Sequence, residues 1–280
     1  SDIIYFNVDE IEVYWTFANY EKLMVWLDDD NSNIMFFEEF TLQKSDKIKD
    51  YEYKIDFIYN NIPCFAFYVG TQVNEYITTR DYFKVYGSTF QIFELETIID
   101  FINTYLILDG VDKKKKKKVH TMKRFDLAVD VLFPIDYIVN KNFKKLNQKG
   151  TKYMWTEWEL ETYYIWAYKV RDNKNFLIRV YDKIKDIKLK RKQRLYPWYL
   201  QEDNITRLEI EFRSQVVSFL DFEDLLDTEK MFNLFILYIK KHTKIFKNLK
   251  TQDVDKLKRI NKYVDIEELK YNRILRERYF

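Results

Sequence analysis

Three short segments alternate charged and apolar residues with a period of two, and that pattern is the signature of a strand with one covered face. They are Arg124–Val131 (RFDLAVDV), Phe176–Lys183 (FLIRVYDK) and Ile205–Arg213 (ITRLEIEFR). In the first, Arg124, Asp126, Ala128 and Asp130 share a face opposite Phe125, Leu127, Val129 and Val131. In the second, Arg179, Tyr181 and Lys183 oppose Ile178 and Val180. In the third, Arg207, Glu209, Glu211 and Arg213 oppose Leu208, Ile210 and Phe212. Laid side by side on an apolar core, these strands gather Asp126, Asp130, Glu209 and Glu211 on one sheet face, with Tyr181 and several cations. Carboxylates so placed repel one another. Only a bound cation or close basic partners make the arrangement tolerable.

The rest of the first 214 residues also reads as strands and hairpins. Glu12–Phe17 is an expected strand and Asn19–Leu27 a short helix. Tyr51–Tyr59 alternates, Asn60 and Asn61 make a turn, and Cys64–Val69 returns. Phe83–Phe93 reads as a strand with Gly87 as a bulge. Leu95–Leu108 has helical periodicity and ends at Asp109 and Gly110. Pro134 ends the first charged strand, Asp136–Leu146 reads as a helix, and Tyr153–Glu157 with Glu161–Tyr168 reads as a hairpin. From Gln215 the period becomes helical, over Phe232–Phe246, Val254–Tyr263 and Ile266–Arg278. The expectation is an α+β fold: a strand-rich domain over 1–214 and a helical tail over 215–280 for DNA recognition or dimerisation. No internal repeat is visible in the sequence.

Net charge sets a limit on partners. With 47 Lys and Arg against 45 Asp and Glu, the chain is not a strongly basic nucleic-acid binder, so any such role rests on local patches. Two patches stand out. Lys113, Lys114, Lys115, Lys116, Lys117 and Lys118 form an uninterrupted run. Lys183–Arg194 adds seven basic residues in twelve, among them Lys188, Lys190, Arg191, Lys192 and Arg194. Each patch has two readings, a solvated loop or helix face and a DNA-phosphate contact. Aromatic content of 19% is high, and an AT-rich coding sequence accounts for much of it. The single cysteine, Cys64, excludes an intrachain disulfide and a thiolate metal cluster; it reads as a small core residue. No signal peptide or bilayer-length apolar run is present, which points to an intracellular, cytoplasmic protein.

Familiar nucleotide and zinc motifs are missing. There is no Walker A loop and no G-x-G-x-x-G. The two histidines, His120 and His242, are far apart, so no paired-histidine metal site forms; His120 can serve as a single ligand and His242 reads as a surface residue. What remains is the oxygen-rich set Asp126, Asp130, Glu209 and Glu211. Such ligands suit Mg²⁺ or Mn²⁺, which act as Lewis acids on a phosphoryl oxygen. Tyr181 is a residue type that forms covalent enzyme intermediates. Arg179 and Lys183 flank it and can hold phosphate charge. Together these parts describe phosphodiester transesterification through a phosphotyrosine. The structural alternative is a set of cross-strand ion pairs with no chemistry.

The three segments, in this order, resemble the replication initiation factor family, the rolling-circle initiators of staphylococcal-type plasmids and related mobile-element relaxases. That family carries an R-[LF]-D-L-A-x-D strand, an aromatic-rich hairpin, a strand reading R-x-Y-x-K and a strand reading R-x-E-[IL]-E-[LF]-[KR]. Here these are Arg124–Asp130, Arg179–Lys183 and Arg207–Arg213. The resemblance covers about Met122 to Asp224. The family's glycine-containing segment before the tyrosine strand is replaced by Ile165–Lys174, which has none, and the Lys113–Lys118 run has no counterpart.

The resemblance implies a rolling-circle endonuclease-like fold, a central antiparallel sheet with helices on one face. It implies a nickase in which Tyr181 attacks one origin phosphodiester, leaving a 5′-phosphotyrosyl link and a free 3′-OH. Asp126, Asp130, Glu209 and Glu211 are the candidates to inherit the family's Mg²⁺ or Mn²⁺ site. The implied partners are an origin with an extruded hairpin, a host helicase and a second copy of the chain, without a membrane. Two alternatives stand beside this reading. One is a non-catalytic origin-binding protein; the other is a metal-dependent nuclease with water as nucleophile.

Overall fold

The alternating segments do form strands, and each lies where its pattern places it. The computed structural model describes residues 3–14, 40–48, 51–70, 72–73, 76–77, 82–102, 122–136, 150–157, 160–167, 176–197, 199–213 and 216–242. Within them the chain is an α+β protein, with a large antiparallel sheet and three α-helices. The expected helix at Asn19–Leu27, the Lys113–Lys118 run, His120, nearly all of Asp136–Leu146 and the two last helices lie outside the described residues.

The strands are β1 (Ile3–Tyr14), β2 (Phe40–Ile48), β3 (Tyr51–Tyr59), β4 (Ile62–Gly70), β5 (Gln72–Val73), β6 (Tyr76–Ile77), β7 (Tyr82–Val85), β8 (Met122–Val131), β9 (Gly150–Glu157), β10 (Leu160–Ala167), β11 (Phe176–Asp182) and β12 (Thr206–Arg213). The helices are α1 (Leu95–Phe101), α2 (Lys183–Leu189) and α3 (Thr228–His242). The chain divides into two units, one from the described parts of 8–126 and 213–223, the other from those of 1–7, 127–212 and 224–280.

In the unit of 8–126 the strand order is β2-β3-β4-β7-β1. Asn60 and Asn61 both take positive φ, 47° and 64°, which is the two-residue turn whose twist matches a hairpin. Two apolar rows cross four strands in register: Phe57, Phe65, Val85 and Ile11, then Ile55, Phe67, Phe83 and Val13. All eight side chains are buried. Helix α1 covers them through Phe101, whose ring centroid lies 5.6 Å from Phe65 and 5.9 Å from Phe83. The expected strand over Phe83–Phe93 ends at Val85, and a 3₁₀ turn over Thr89–Gln91 follows. Gly87 is not a bulge. A Cβ there would sit 2.8 Å from the Asp9 carbonyl oxygen, so the position requires close backbone approach.

In the other unit the strand order is β8-β12-β11-β10-β9. Both units therefore have the same connectivity, in which the first strand neighbours the last and the others form a meander between. The sequence carries no visible trace of this repetition. Opposed pairs Leu208–Val180, Ile210–Ile178 and Phe212–Phe176 form the apolar face of β11 and β12. Helix α3 packs on it: Tyr238 meets Phe176 and Phe212 edge-on, at 5.2 and 4.9 Å, and Phe6 meets Phe232 at 5.0 Å. Met231, Phe232, Phe235, Ile236 and Ile239 repeat at helical spacing and are buried. Each contributes roughly 1.5–3 kcal/mol of burial relative to exposure. The Asp227 side chain caps the helix by accepting from the Lys230 backbone N–H at 2.9 Å. The helical signal after Gln215 thus begins with two 3₁₀ turns, Val217–Phe219 and Glu223–Leu226, before α3.

Candidate functional site

The face of β11 and β12 opposite α3 carries Arg179, Tyr181, Arg207, Glu209 and Glu211. Arg179 is directly opposite Glu209, and Tyr181 is opposite Arg207. The Tyr181 hydroxyl donates to Glu209 Oε2 at 3.0 Å. Arg179 Nη2 donates to the other oxygen, Glu209 Oε1, and lies 3.8 Å from Glu211 Oε2. One carboxylate thus joins a tyrosine and an arginine, both from the neighbouring strand. Glu209 is positioned to accept the Tyr181 proton, and Arg179 holds it in orientation. A hydroxyl, a carboxylate and a guanidinium linked in this order have the connectivity that a nucleophile, its base and an orienting group require. Tyr181 is 8% exposed, so its ring is fixed by packing while its hydroxyl stays in the polar network.

Asp130 is placed on the same unit with different partners. It is fully buried, as is Arg207. Arg207 Nε and Nη2 each donate to Asp130 at 2.7 Å, and Tyr199 Oη donates at 2.6 Å. The Arg207 guanidinium lies 5.3 Å from the Tyr5 ring centroid. Burial pushes the Tyr199 hydroxyl well above its ordinary pKa, and the Asp130 charge beside it acts in the same direction. The hydroxyl therefore stays protonated and remains a donor.

Lys183 lies one residue past the strand expected to carry it, yet its ammonium is 5.9 Å from the Tyr181 ring centroid. Strand β11 ends at Asp182, whose side chain accepts from the Lys185 backbone N–H at 3.0 Å and so starts helix α2. Lys183 is the first helical residue and is buried. Its ammonium lies 3.2 Å from Asp186 and 4.8 Å from the Tyr196 ring centroid. Burial alone would raise the Asp186 pKa, but Lys183 and Lys190 outweigh it and hold the carboxyl well below its ordinary range. Among the other basic candidates of this segment, Lys188, Lys190, Arg191 and Arg194 are exposed and Lys192 is half-buried.

Asp126 belongs to the unit of 8–126. It is fully buried and accepts from Arg124 Nε at 2.7 Å and Nη2 at 2.5 Å. Glu12 in that unit accepts from Lys123 at 2.8 Å, and Lys123 sits 3.5 Å from the Tyr82 ring centroid. Burial raises the Glu12 pKa, but Lys123 and Arg124 outweigh it and hold the carboxyl low.

The repulsion posed by the sequence is thus resolved by basic partners. Asp126 is held by Arg124, Asp130 by Arg207 and Tyr199, and Glu209 by Arg179 and Tyr181. Among the described residues, no group of three or more His, Cys, Asp or Glu side chains converges as a metal site would. Nothing periodic in the sequence marks Tyr196, which caps the 3₁₀ turn Gln193–Leu195, or Tyr199, which opens the 3₁₀ turn Tyr199–Gln201. Among the described residues, no helix is long and apolar enough to cross a membrane. Comparison with protein-family models, curated proteins and solved structures finds no match to this chain.

Proposed function

We propose that the chain is a DNA strand-nicking enzyme of the rolling-circle initiator kind, with Tyr181 as nucleophile. The observation that carries this is the hydrogen bond from Tyr181 to Glu209, with Arg179 on the same carboxylate. The Tyr181 phenol passes its proton to Glu209 and its oxygen attacks phosphorus. The bond from phosphorus to the 3′-oxygen breaks, and that oxygen takes up a proton. The products are a 5′-phosphotyrosyl link and a free 3′-OH. Arg179 is the cation nearest the tyrosine on its own strand, and it is the group to stabilise charge on the phosphoryl oxygens. The buried Arg207–Asp130–Tyr199 cluster holds the neighbouring strand in place.

The family resemblance implies a divalent ion. The carboxylates as arranged do not fit one, because Asp126, Asp130 and Glu209 each engage both oxygens with arginine or tyrosine donors. An ion at Glu209 and Glu211 would have to displace Arg179, so no step here is routed through a metal. Origin DNA, a host helicase and a second copy of the chain are partners proposed on the same resemblance. The test is a supercoiled plasmid carrying the native origin, incubated with the protein, with and without Mn²⁺. Wild-type protein yields nicked circles, and Tyr181→Phe yields none while still binding the origin. Full nicking by Tyr181→Phe would refute the assignment and favour water as nucleophile. Binding without nicking by either protein would favour the non-catalytic origin binder.

A further inference from the structure

Strand β10 carries the charged face one strand beyond β11, and register fixes which residues it adds. Thr162 lies opposite Tyr181 and Tyr164 opposite Arg179. Arg179 in turn lies opposite Glu209, and Tyr181 opposite Arg207. Residues directly opposite each other in an antiparallel pair share a face. Tyr164, Arg179 and Glu209 therefore form one row across the strands, and Thr162, Tyr181 and Arg207 form the next. Tyr163 belongs to the other face: it lies opposite Val180, and its hydroxyl donates to Glu161 at 3.3 Å.

The face changes character along these rows. On β12 it is charged, with Arg207, Glu209 and Glu211. On β11 Arg179 and Tyr181 are joined by Leu177, which lies opposite Glu211 and is half-buried. On β10 Thr162 and Tyr164 bring no charge; Thr162 is buried, while Tyr164 is half-buried and keeps part of its surface in solvent. Neighbouring strands stand about 4.8 Å apart, so Tyr164 is one strand spacing from the cation that serves the phosphoryl oxygens. A phosphate held there belongs to a nucleotide whose base hangs from the adjoining sugar. An aromatic side chain so placed takes such a base by stacking, and does so for any base, because every base has a flat π-face. Only a base released from its duplex partner can lie on it.

We propose that Tyr164 stacks on the unpaired base next to the phosphate that Tyr181 attacks, and so makes the site require a base at that position. The inference rests on the nicking reading for where the phosphate sits, but its test reads binding alone. Full-length protein in the Tyr181→Phe background is titrated, without metal and over a range of salt, with two fluorescein-labelled oligomers. One is an oligothymidylate; the other is an abasic oligomer of the same length with the same phosphates. The oligothymidylate should bind about ten-fold more tightly than the abasic oligomer. Tyr164→Leu should remove that preference by weakening oligothymidylate alone. Its log-affinity against log-salt slope should not change, because a stacked ring releases no counterions. Tyr164→Phe keeps the ring and should keep the preference. Equal affinity of the parent protein for the two oligomers refutes the proposal without any substitution at Tyr164, so a Tyr164→Leu chain that fails to fold does not shelter it. A folded Tyr164→Leu chain that keeps the preference refutes it too. So does one that weakens both oligomers equally or lowers the slope, since Tyr164 would then support the fold or a phosphate and not a base. Nicking by wild type in the plasmid assay beside any of these refuting results leaves Tyr181 standing and removes Tyr164. No nicking beside a Tyr164-dependent preference does the reverse.

Discussion

Removing Arg207 should unfold this protein more readily than removing any exposed cation, and the structure sets the size of the effect. In Arg207→Met the methionine fills much of the arginine's volume, while Asp130 remains fully buried and keeps only the Tyr199 hydrogen bond at 2.6 Å. Two charge-assisted bonds of 2.7 Å are lost, together with the stacking on Tyr5. Breaking one side of a buried ion pair costs about 3–5 kcal/mol, because the remaining charge has no solvent and no partner. Urea denaturation followed by tryptophan fluorescence should therefore lose about 3–5 kcal/mol with little change in slope. The double variant Asp130→Asn/Arg207→Met removes the stranded charge and keeps an acceptor for Tyr199, so it should recover at least half of that loss. A loss under about 1 kcal/mol for Arg207→Met, the range of a solvent-exposed pair, would show that something other than Arg207 neutralises Asp130. An ion would then be the first candidate, and the account of an internally neutralised face would be wrong.

Further outcomes follow from single positions. Glu12 and Asp186 have lowered pKa values in the folded chain, so the stability they contribute is present above the ordinary carboxylate range and is lost as pH falls through their folded values. Acid titration of stability should be shallower in Asp186→Asn. Burial pushes the Cys64 thiol up to about 12, so iodoacetamide at pH 8 should modify it only after denaturant is added. Gly87→Ala forces a contact of 2.8 Å with the Asp9 carbonyl and should lower the melting temperature, whereas an unchanged value would show that the turn relaxes freely. Saturating Mn²⁺ should raise the melting temperature only if it displaces Arg179 from Glu209, so the rise should be larger in Arg179→Gln than in wild type.

The parts of this fold that were legible in the sequence are those whose side chains alternate between a packed and a polar face. β11 and β12 fall within their predicted segments and β8 contains its own, starting two residues earlier at Met122; in β12 a one-residue slip would expose Leu208, Ile210 and Phe212. The β3–β4 hairpin was legible for a second reason, since Asn60 and Asn61 supply the positive φ its turn requires. The pairing of each carboxylate was not legible. Alternation says that Arg179 and Glu209 share a face but not that they are opposite each other, which depends on register. That Lys183 opens α2 rather than closing β11 is not legible, because a period-two pattern runs on unchanged into the first residue of a helix and only the Asp182 cap marks the change. The strand expected over Phe83–Phe93 ends at Val85, two residues before Gly87, where the chain passes close to Asp9. Tyr199 and Tyr196 gave no signal, because 3₁₀ turns have no period long enough to detect. The shared strand order of the two units was hidden because topology can persist with no visible likeness of sequence.

The nicking proposal makes Tyr181 the residue that would become bonded to DNA. The most direct measurement is a peptide map of the protein after reaction with origin DNA and nuclease trimming of the attached strand. The residual nucleotide should be found on the peptide containing Tyr181, and no adduct should form in Tyr181→Phe. A nucleotide on Tyr163 or Tyr164 of the adjacent strand, or nicked DNA with no adduct at all, would contradict it.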